Sequence, residues 1–182
     1  MREIKDDVNN IIITEEEISK KVSELGQILS EEYRDKQLLC IGVLKGALMF
    51  ISDLIREISL PLQVDFMAVS SYGSATKSSG IVRILKDLDE DISGKHVLIV
   101  EDILDTGLTL NYLIKNLRSR QPASLEICSL LVKKDKQTSG IDAKYIGFVI
   151  PDRFVVGYGL DYEENYRNLK FVGELKNEIL GA

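Results

Sequence analysis

The sequence has one histidine, two cysteines and no apolar run long enough to cross a membrane. A transmembrane helix needs about 20 mostly apolar residues. The first residues, Met1-Arg-Glu-Ile-Lys-Asp-Asp7, also lack the apolar core of a secretory signal. The expectation is a cytoplasmic protein with no membrane partner. Cys40 and Cys128 each stand alone inside an apolar stretch, which predicts reduced core residues and neither a disulfide nor a metal site. His96 has no second histidine nearby and reads as structural. Basic residues are outnumbered 23 to 29 by acidic ones, for a net charge of −6, and they form no long block. That balance argues against nucleic acid as the main partner.

At 182 residues and 45% hydrophobic composition, the chain is expected to form a single domain over residues 1–182 with a substantial core. Thr14-Glu-Glu-Glu17 has the form of a capping box, and Ile18, Val22, Leu25 and Leu29 share one helical face, so a helix is predicted from Glu15 to Tyr33. Leu38 to Leu44 reads as a buried strand, Ala47 to Ile58 as a helix, and Leu62 to Ser71 and Ile81 to Lys86 as strands. The small, polar segment between the last two, about 72–80, has the composition of a mobile loop, and its flanking strands would pair antiparallel. Further strands are predicted at Val97, at Leu125 to Val132 and at Ile146 to Ile150, with a helix around Leu110 to Leu117. A short strand over Phe154 to Gly157 and helical turns over Glu163 to Asn168 and beyond Glu174 complete the reading. Strands alternating with helices predict an α/β fold with a parallel core sheet.

The most informative stretch is Val97-Leu-Ile-Val-Glu-Asp-Ile-Leu-Asp-Thr-Gly-Leu-Thr-Leu110. Four aliphatics suit a strand buried on both faces. Ligands of open α/β sheets bind beyond the carboxyl ends of such strands, where Glu101 and Asp102 are expected. Gly107 permits positive φ or close backbone approach, and the hydroxyls of Thr106 and Thr109 with the first amides of the next helix make a phosphate seat. Asp-Thr-Gly alone would fit an ordinary turn; the complete string is much more specific. Lys45-Gly46, at the end of another buried strand, offers a cation and exposed amides to an anion, although Lys-Gly is commonly only a turn.

The Val97–Leu110 string resembles the phosphoribosyl-pyrophosphate (PRPP) motif of type I phosphoribosyltransferases. With Leu44-Lys-Gly-Ala47, Ser71-Tyr72, Leu130-Leu-Val-Lys133 and Ile150-Pro-Asp-Arg-Phe-Val-Val-Gly-Tyr-Gly-Leu-Asp161, the chain from about Ile11 to Val172 resembles the hypoxanthine-guanine phosphoribosyltransferases. The resemblance implies the type I fold: a parallel core sheet flanked by helices, a small hood and a flexible antiparallel strand-loop-strand. It also implies Mg²⁺-dependent transfer of the phosphoribosyl group of PRPP to N9 of hypoxanthine or guanine, giving IMP or GMP and pyrophosphate. Carried over by position, Asp105 would contact purine N7 and handle the proton. Glu101 and Asp102 would engage the ribose hydroxyls, directly or through water and Mg²⁺. The 5′-phosphate would sit on Thr106, Gly107, Leu108 and Thr109. Lys45, Gly46 and Arg167 would bind pyrophosphate, with a cis peptide often found between the residues matching Leu44 and Lys45. Lys133 would donate to O6, Phe154 would stack on the base, the Val155 backbone would read its edge, and Asp161 would help hold Mg²⁺. Ser71 and Tyr72 would close over the site. The family is oligomeric, so a homodimer or homotetramer is implied.

Without that resemblance, Lys133-Lys134 reads as a solvated strand exit, and Phe154 among valines suits a core as well as a stacking platform. Leu108 differs from the basic residue that some relatives carry in the phosphate loop. A regulator of the same fold is the competing class, but it has no need of the carboxylate at Asp105. An enzyme of the same fold acting on another base is the second alternative: adenine lacks the O6 that Lys133 would address, whereas xanthine differs from guanine only at the 2-position.

Overall fold

A computed structural model describes residues 3–72, 81–133 and 140–181. A single 3-10 turn (Ile4–Asp7) leads into β1 (Val8–Ile13), followed by α1 (Glu15–Glu32), β2 (Leu38–Leu44), α2 (Leu48–Glu57), β3 (Leu62–Tyr72) and β4 (Ile81–Lys86). Then come β5 (His96–Leu104), α3 (Leu108–Arg118), β6 (Ser124–Lys133), β7 (Tyr145–Ile150) and β8 (Val172–Leu175). A six-stranded sheet has the order β4-β3-β2-β5-β6-β7, parallel except for β4, which runs antiparallel to β3. A second, two-stranded antiparallel sheet pairs β1 with β8. This is the expected α/β architecture, a parallel core sheet flanked by helices with one antiparallel edge strand and a separate small sheet.

Period-two alternation explains how the sheet is covered. Cys40, Leu98, Val100, Cys128 and Leu130 face a core that includes Leu25 and Leu29 of α1 and Phe50, Ile51 and Leu54 of α2. Leu39, Ile41, Val43, Val97 and Ile99 face the other way, onto Leu110, Leu113, Ile114 and Leu117 of α3. A central strand covered on both faces has no use for polar positions, which is why β2 and the first half of β5 are almost wholly aliphatic. α1 starts with the expected capping box: Thr14 Oγ1 accepts from the Glu17 amide at 3.2 Å, and Glu17 Oε2 accepts from the Thr14 amide at 2.8 Å. Both cysteines are free and buried, and burial pushes the Cys40 thiol up to about 12. His96 shares a 2.8 Å hydrogen bond between Nδ1 and Ser124 Oγ, a structural contact at the start of β5.

Several expectations need correction. β5 runs on to Leu104, so Glu101 and Asp102 lie within the strand and the loop begins only at Asp105. The ladder to β6 (Glu101 with Ser129, Ile103 with Leu131, Leu104 with Val132) keeps that stretch extended. Phe154 to Gly157 is not a strand; Val156 makes a single bridge to Gly173. Glu163 to Asn168 is not helical, because Glu163, Glu164 and Tyr166 have φ values of 51°, 64° and 72°, outside the right-handed helix. The tail from Glu174 is not helical at its start either, since Val172–Leu175 is used as β8. Residues 73–80, the greater part of the expected mobile loop, lie outside the described residues.

Candidate functional site

β2 is followed by a crossover to β3 on one side, whereas β5 leads to β6 on the other. The chain therefore reverses direction between β2 and β5, the switch point where open α/β sheets hold their ligands. Lys45 and Gly46 follow β2, and Asp105 to Thr109 follow β5, on the two sides of that switch. Lys133 ends β6 beside Ile150 at the end of β7. The sheet thus gathers the predicted residues on one edge.

The phosphate seat takes the expected form. Gly107 caps α3 with φ of 71°, a left-handed conformation that glycine adopts without a Cβ penalty. The first intrahelical bond recorded beyond it runs from the Asn111 amide to the Gly107 carbonyl at 2.8 Å. The amides of Leu108, Thr109 and Leu110 precede that bond, and the first turn carries no acidic side chain. Exposed amides at the positive end of a helix dipole suit a phosphate. The Leu108 side chain is half exposed, so its contribution to such a seat is the amide.

The acidic pair is strongly perturbed. Burial, with the neighbouring Asp102 charge, raises the Glu101 carboxyl well above its usual range. Burial likewise lifts Asp102 to about 6, against the pull of backbone hydrogen bonds, including the Ile103 amide at 2.9 Å, and of the Arg167 charge. Two adjacent, half-buried carboxylates with little cationic company are arranged for a cation or for hydroxyl donors. Gly46 comes so close that a Cβ there would lie 1.8 Å from Asp102 Oδ2, so only glycine admits this contact. The Leu44–Lys45 peptide is cis, as the resemblance implied.

Around the Lys45 side lies a second charge cluster. Arg167 Nη2 pairs with Asp161 Oδ1 at 2.8 Å and with Glu164 Oε1 at 3.2 Å, and its Nη1 donates to the Gly159 carbonyl at 2.8 Å. Lys45 Nζ meets the other oxygen of Glu164 at 2.6 Å. Both cations expected to receive pyrophosphate therefore share one carboxylate in the free protein. Sequence reasoning missed Glu164; its spacing of three from Arg167 and from Asp161 was the available signal.

At the end of β6, Lys133 is only 8% exposed, which overturns the solvated strand exit. Its Nζ lies 3.4 Å from Asp105 Oδ2 and 3.2 Å from Asp152 Oδ1. A buried ammonium needs such partners. Asp152 was also missed, concealed in Pro151-Asp-Arg as a plain turn residue. Asp105 Oδ1 is buried and has no hydrogen-bond partner among the described residues. Phe154 is 51% exposed and meets Tyr162 edge-on at 5.8 Å between ring centroids, so its face is not spent in the core. Val155, next to it, is buried. Ser71 and Tyr72 end β3, paired in register with Val82 and Ile81 of β4.

The magnesium implied by the resemblance fits this donor set. Mg²⁺ takes hard oxygen ligands and is commonly held by one or two carboxylates together with substrate phosphates and water. Glu101, Asp102 and Asp161 offer only such oxygens, beside the cations that would face a polyphosphate. Among the described residues, no three or more His, Cys, Asp or Glu side chains converge as a complete protein cage.

Known proteins bear on the whole chain. Residues 10–163 match the phosphoribosyl transferase domain family. A hypoxanthine-guanine phosphoribosyltransferase of Mycobacterium avium is 54% identical over 179 residues, covering 95% of this chain and 88% of that protein. The enzyme of the same name from Bacillus subtilis (strain 168) is 54% identical over 176 residues, covering 97% and 98%. The crystal structure of a hypoxanthine phosphoribosyltransferase from Staphylococcus aureus superposes with a TM-score of 0.94 at 50% identity, covering 97% of this chain and 96% of that one.

Proposed function

The chain belongs to the phosphoribosyl transferase family, and we propose that it is the purine-salvage enzyme that family membership and the site chemistry together describe. It transfers the 5-phosphoribosyl group of PRPP to N9 of hypoxanthine or guanine, releasing pyrophosphate and forming IMP or GMP. The bond from C1 of the ribose to the pyrophosphate oxygen breaks, the bond from C1 to N9 forms, and a proton leaves the purine.

The observation that carries this reading is Asp105: one oxygen is turned toward a buried lysine, and the other is buried with no partner of its own among the described residues. A carboxylate in that state accepts the N7 proton as the base attacks. Lys133, fixed between Asp105 and Asp152, donates to O6, which hypoxanthine and guanine carry and adenine lacks. Phe154 offers a face to the ring, and the Val155 backbone reads the Watson–Crick edge. The amides of Leu108 and Thr109, the Thr106 and Thr109 side chains and the turn at Gly107 hold the 5′-phosphate. Glu101 and Asp102 bind the ribose hydroxyls, and Lys45, Gly46 and Arg167 receive pyrophosphate. Asp161, Glu101 and Asp102 would hold Mg²⁺, which would supply charge neutralisation to the leaving pyrophosphate. We propose that residues 1–182 act as one domain, that Ser71, Tyr72 and the 72–80 loop close over the site, and that the enzyme works in the cytoplasm as a homodimer or homotetramer. No described helix is long and apolar enough to span a membrane.

The test is a spectrophotometric assay of purified protein with PRPP and Mg²⁺, offering hypoxanthine, guanine, xanthine and adenine separately. Turnover of the first two is expected, with adenine inert. Silence with all four, alongside measurable PRPP binding, would replace this reading with a ligand-binding regulator.

A further inference from the structure

We infer that Tyr158 and Asp53, neither of which belongs to the ligand-contacting set, are positioning residues that set the shape of the pyrophosphate subsite. The inference deepens the phosphoribosyl-transfer reading and rests on it for the identity of that subsite. Gly157, Tyr158 and Gly159 have consecutive positive φ values of 99°, 48° and 102°. Two are glycines; the middle one carries a large side chain in a region that such residues seldom adopt. A backbone of this kind persists only when its surroundings hold it.

Here the hold is specific. The Tyr158 ring is buried, and its hydroxyl donates to Asp53 Oδ2 in α2 at 2.6 Å. The other oxygen of Asp53 is taken by Arg56, one turn further along the same helix. The Tyr158 amide donates to the Leu169 carbonyl at 2.9 Å, and the Gly159 amide to the Arg167 carbonyl at 2.9 Å. Gly159 then presses on the pyrophosphate loop: a Cβ at this position would lie 2.0 Å from the Gly46 carbonyl oxygen. The Gly159 carbonyl also receives Arg167 Nη1 at 2.8 Å.

These contacts close a ring. From Gly46 the chain runs into α2 and reaches Asp53; the hydrogen bond crosses to Tyr158; the next residue, Gly159, returns to Gly46. Lys45 precedes Gly46 and Arg167 is held by the Gly159 carbonyl, so the two cations assigned to pyrophosphate flank the Gly46–Gly159 contact that the ring closes. The tyrosine lines a cleft of about 440 Å³ between α1, α2 and the 167–170 segment, which Arg167 also borders. With its hydroxyl committed to Asp53, Tyr158 acts on the subsite through the Gly159–Gly46 contact and the Arg167 anchor.

Tyr158→Phe keeps the ring packing and removes only the hydroxyl. With the full-length protein, we expect the KM for PRPP and the Kd for pyrophosphate, measured calorimetrically with Mg²⁺, to rise about tenfold. The KM for hypoxanthine and the melting temperature should move little. Asp53→Leu should reproduce this pattern, the double variant should be no worse than either single one, and Asp53→Asn, which keeps an acceptor oxygen, should recover most of the pyrophosphate affinity. An unchanged pyrophosphate Kd in Tyr158→Phe overturns the inference. So does equal weakening of base and pyrophosphate, or Asp53→Asn as damaging as Asp53→Leu. If the unmodified protein turns over no PRPP, the transfer reading fails instead, and the pyrophosphate titrations still decide whether Tyr158 positions this loop.

Discussion

Asp105 and Glu164 are two carboxylates with opposite consequences. Asp105 has one oxygen committed to Lys133 and the other without a partner among the described residues, a state that costs free energy in a resting protein unless a ligand supplies the missing donor. Asp105→Asn preserves shape and removes the proton acceptor. Its kcat should fall by about 10²- to 10⁴-fold, the usual range for a general base, with PRPP affinity nearly unchanged. Steady-state kinetics beside PRPP titration would read this, and a variant with normal kcat would end the assignment. Glu164, by contrast, occupies the two cations proposed to receive pyrophosphate, with its two oxygens on Lys45 and Arg167. The Lys45 pair is well exposed, so it adds little to stability. Its removal should instead favour the incoming anion. Glu164→Gln is expected to lower the KM for PRPP roughly two- to fivefold, the scale of one exposed ion pair, and to tighten product inhibition by pyrophosphate. A higher KM would mean that Glu164 aids binding and does not compete with it.

At the scale of elements, the β3–β4 pair has to hold the approaches to the 72–80 loop while projecting from the edge of the sheet. Asp65 anchors it, accepting from the Asp89 amide at 2.8 Å and the Phe66 amide at 2.7 Å and pairing with Lys86 at 3.1 Å. Burial alone would raise the Asp65 carboxyl, but these donors outweigh it and hold its pKa below the ordinary value. A depressed carboxylate contributes stability that is present above its unfolded pKa of about 3.9 and lost as pH falls through the lower folded value. Asp65→Asn should therefore be less stable at neutral pH, by roughly 1–3 kcal/mol, with the deficit shrinking in acid. Chemical denaturation at pH 7 and at pH 3 tests this; a constant difference would mean that charge is not the cause. The same strands show what a sequence discloses. β2, β5, β6 and β7 were legible because aliphatic runs have one use in a parallel sheet, β3 because it alternates loosely, and α1 because its cap and stripe agree. β1 escaped: Val-Asn-Asn-Ile-Ile-Ile lacks alternation, and its partner β8 is 164 residues away by the Asn10–Glu174 pairing. The turns after Asp161 escaped because three non-glycine residues adopt positive φ there, held by tertiary contacts that no local pattern encodes. The phosphate seat was legible because Gly107 and its neighbours are contiguous; Asp152 and Tyr158 were not, because their partners Lys133 and Asp53 lie far away in the chain.

On the scale of the whole molecule, charge sets the conditions for substrate entry. The chain carries a net charge of −6, and the site adds Glu101, Asp102, Asp161 and Glu164 around its few cations. PRPP is itself a polyanion. Lys45, Arg167 and the α3 amides oppose that repulsion, but Lys45 and Arg167 are already paired with Glu164, and Arg167 also with Asp161. Tight binding is therefore expected to need a cation brought with the substrate, which the carboxylates would attract. Linkage turns this into a stability measurement: a ligand at 100 times its Kd stabilises the folded state by about 2.7 kcal/mol. For a chain of this size that corresponds to a rise in melting temperature of about 5–10 °C. PRPP with Mg²⁺ should produce such a rise, whereas PRPP with a chelator should shift the transition by about 1 °C or less. Asp161→Asn should reduce the Mg²⁺-dependent part and leave the melting temperature of the free protein close to that of the unmodified chain. An equal shift with and without the metal would show that the protein's own cations suffice for PRPP, and that its acidic residues serve the ribose alone.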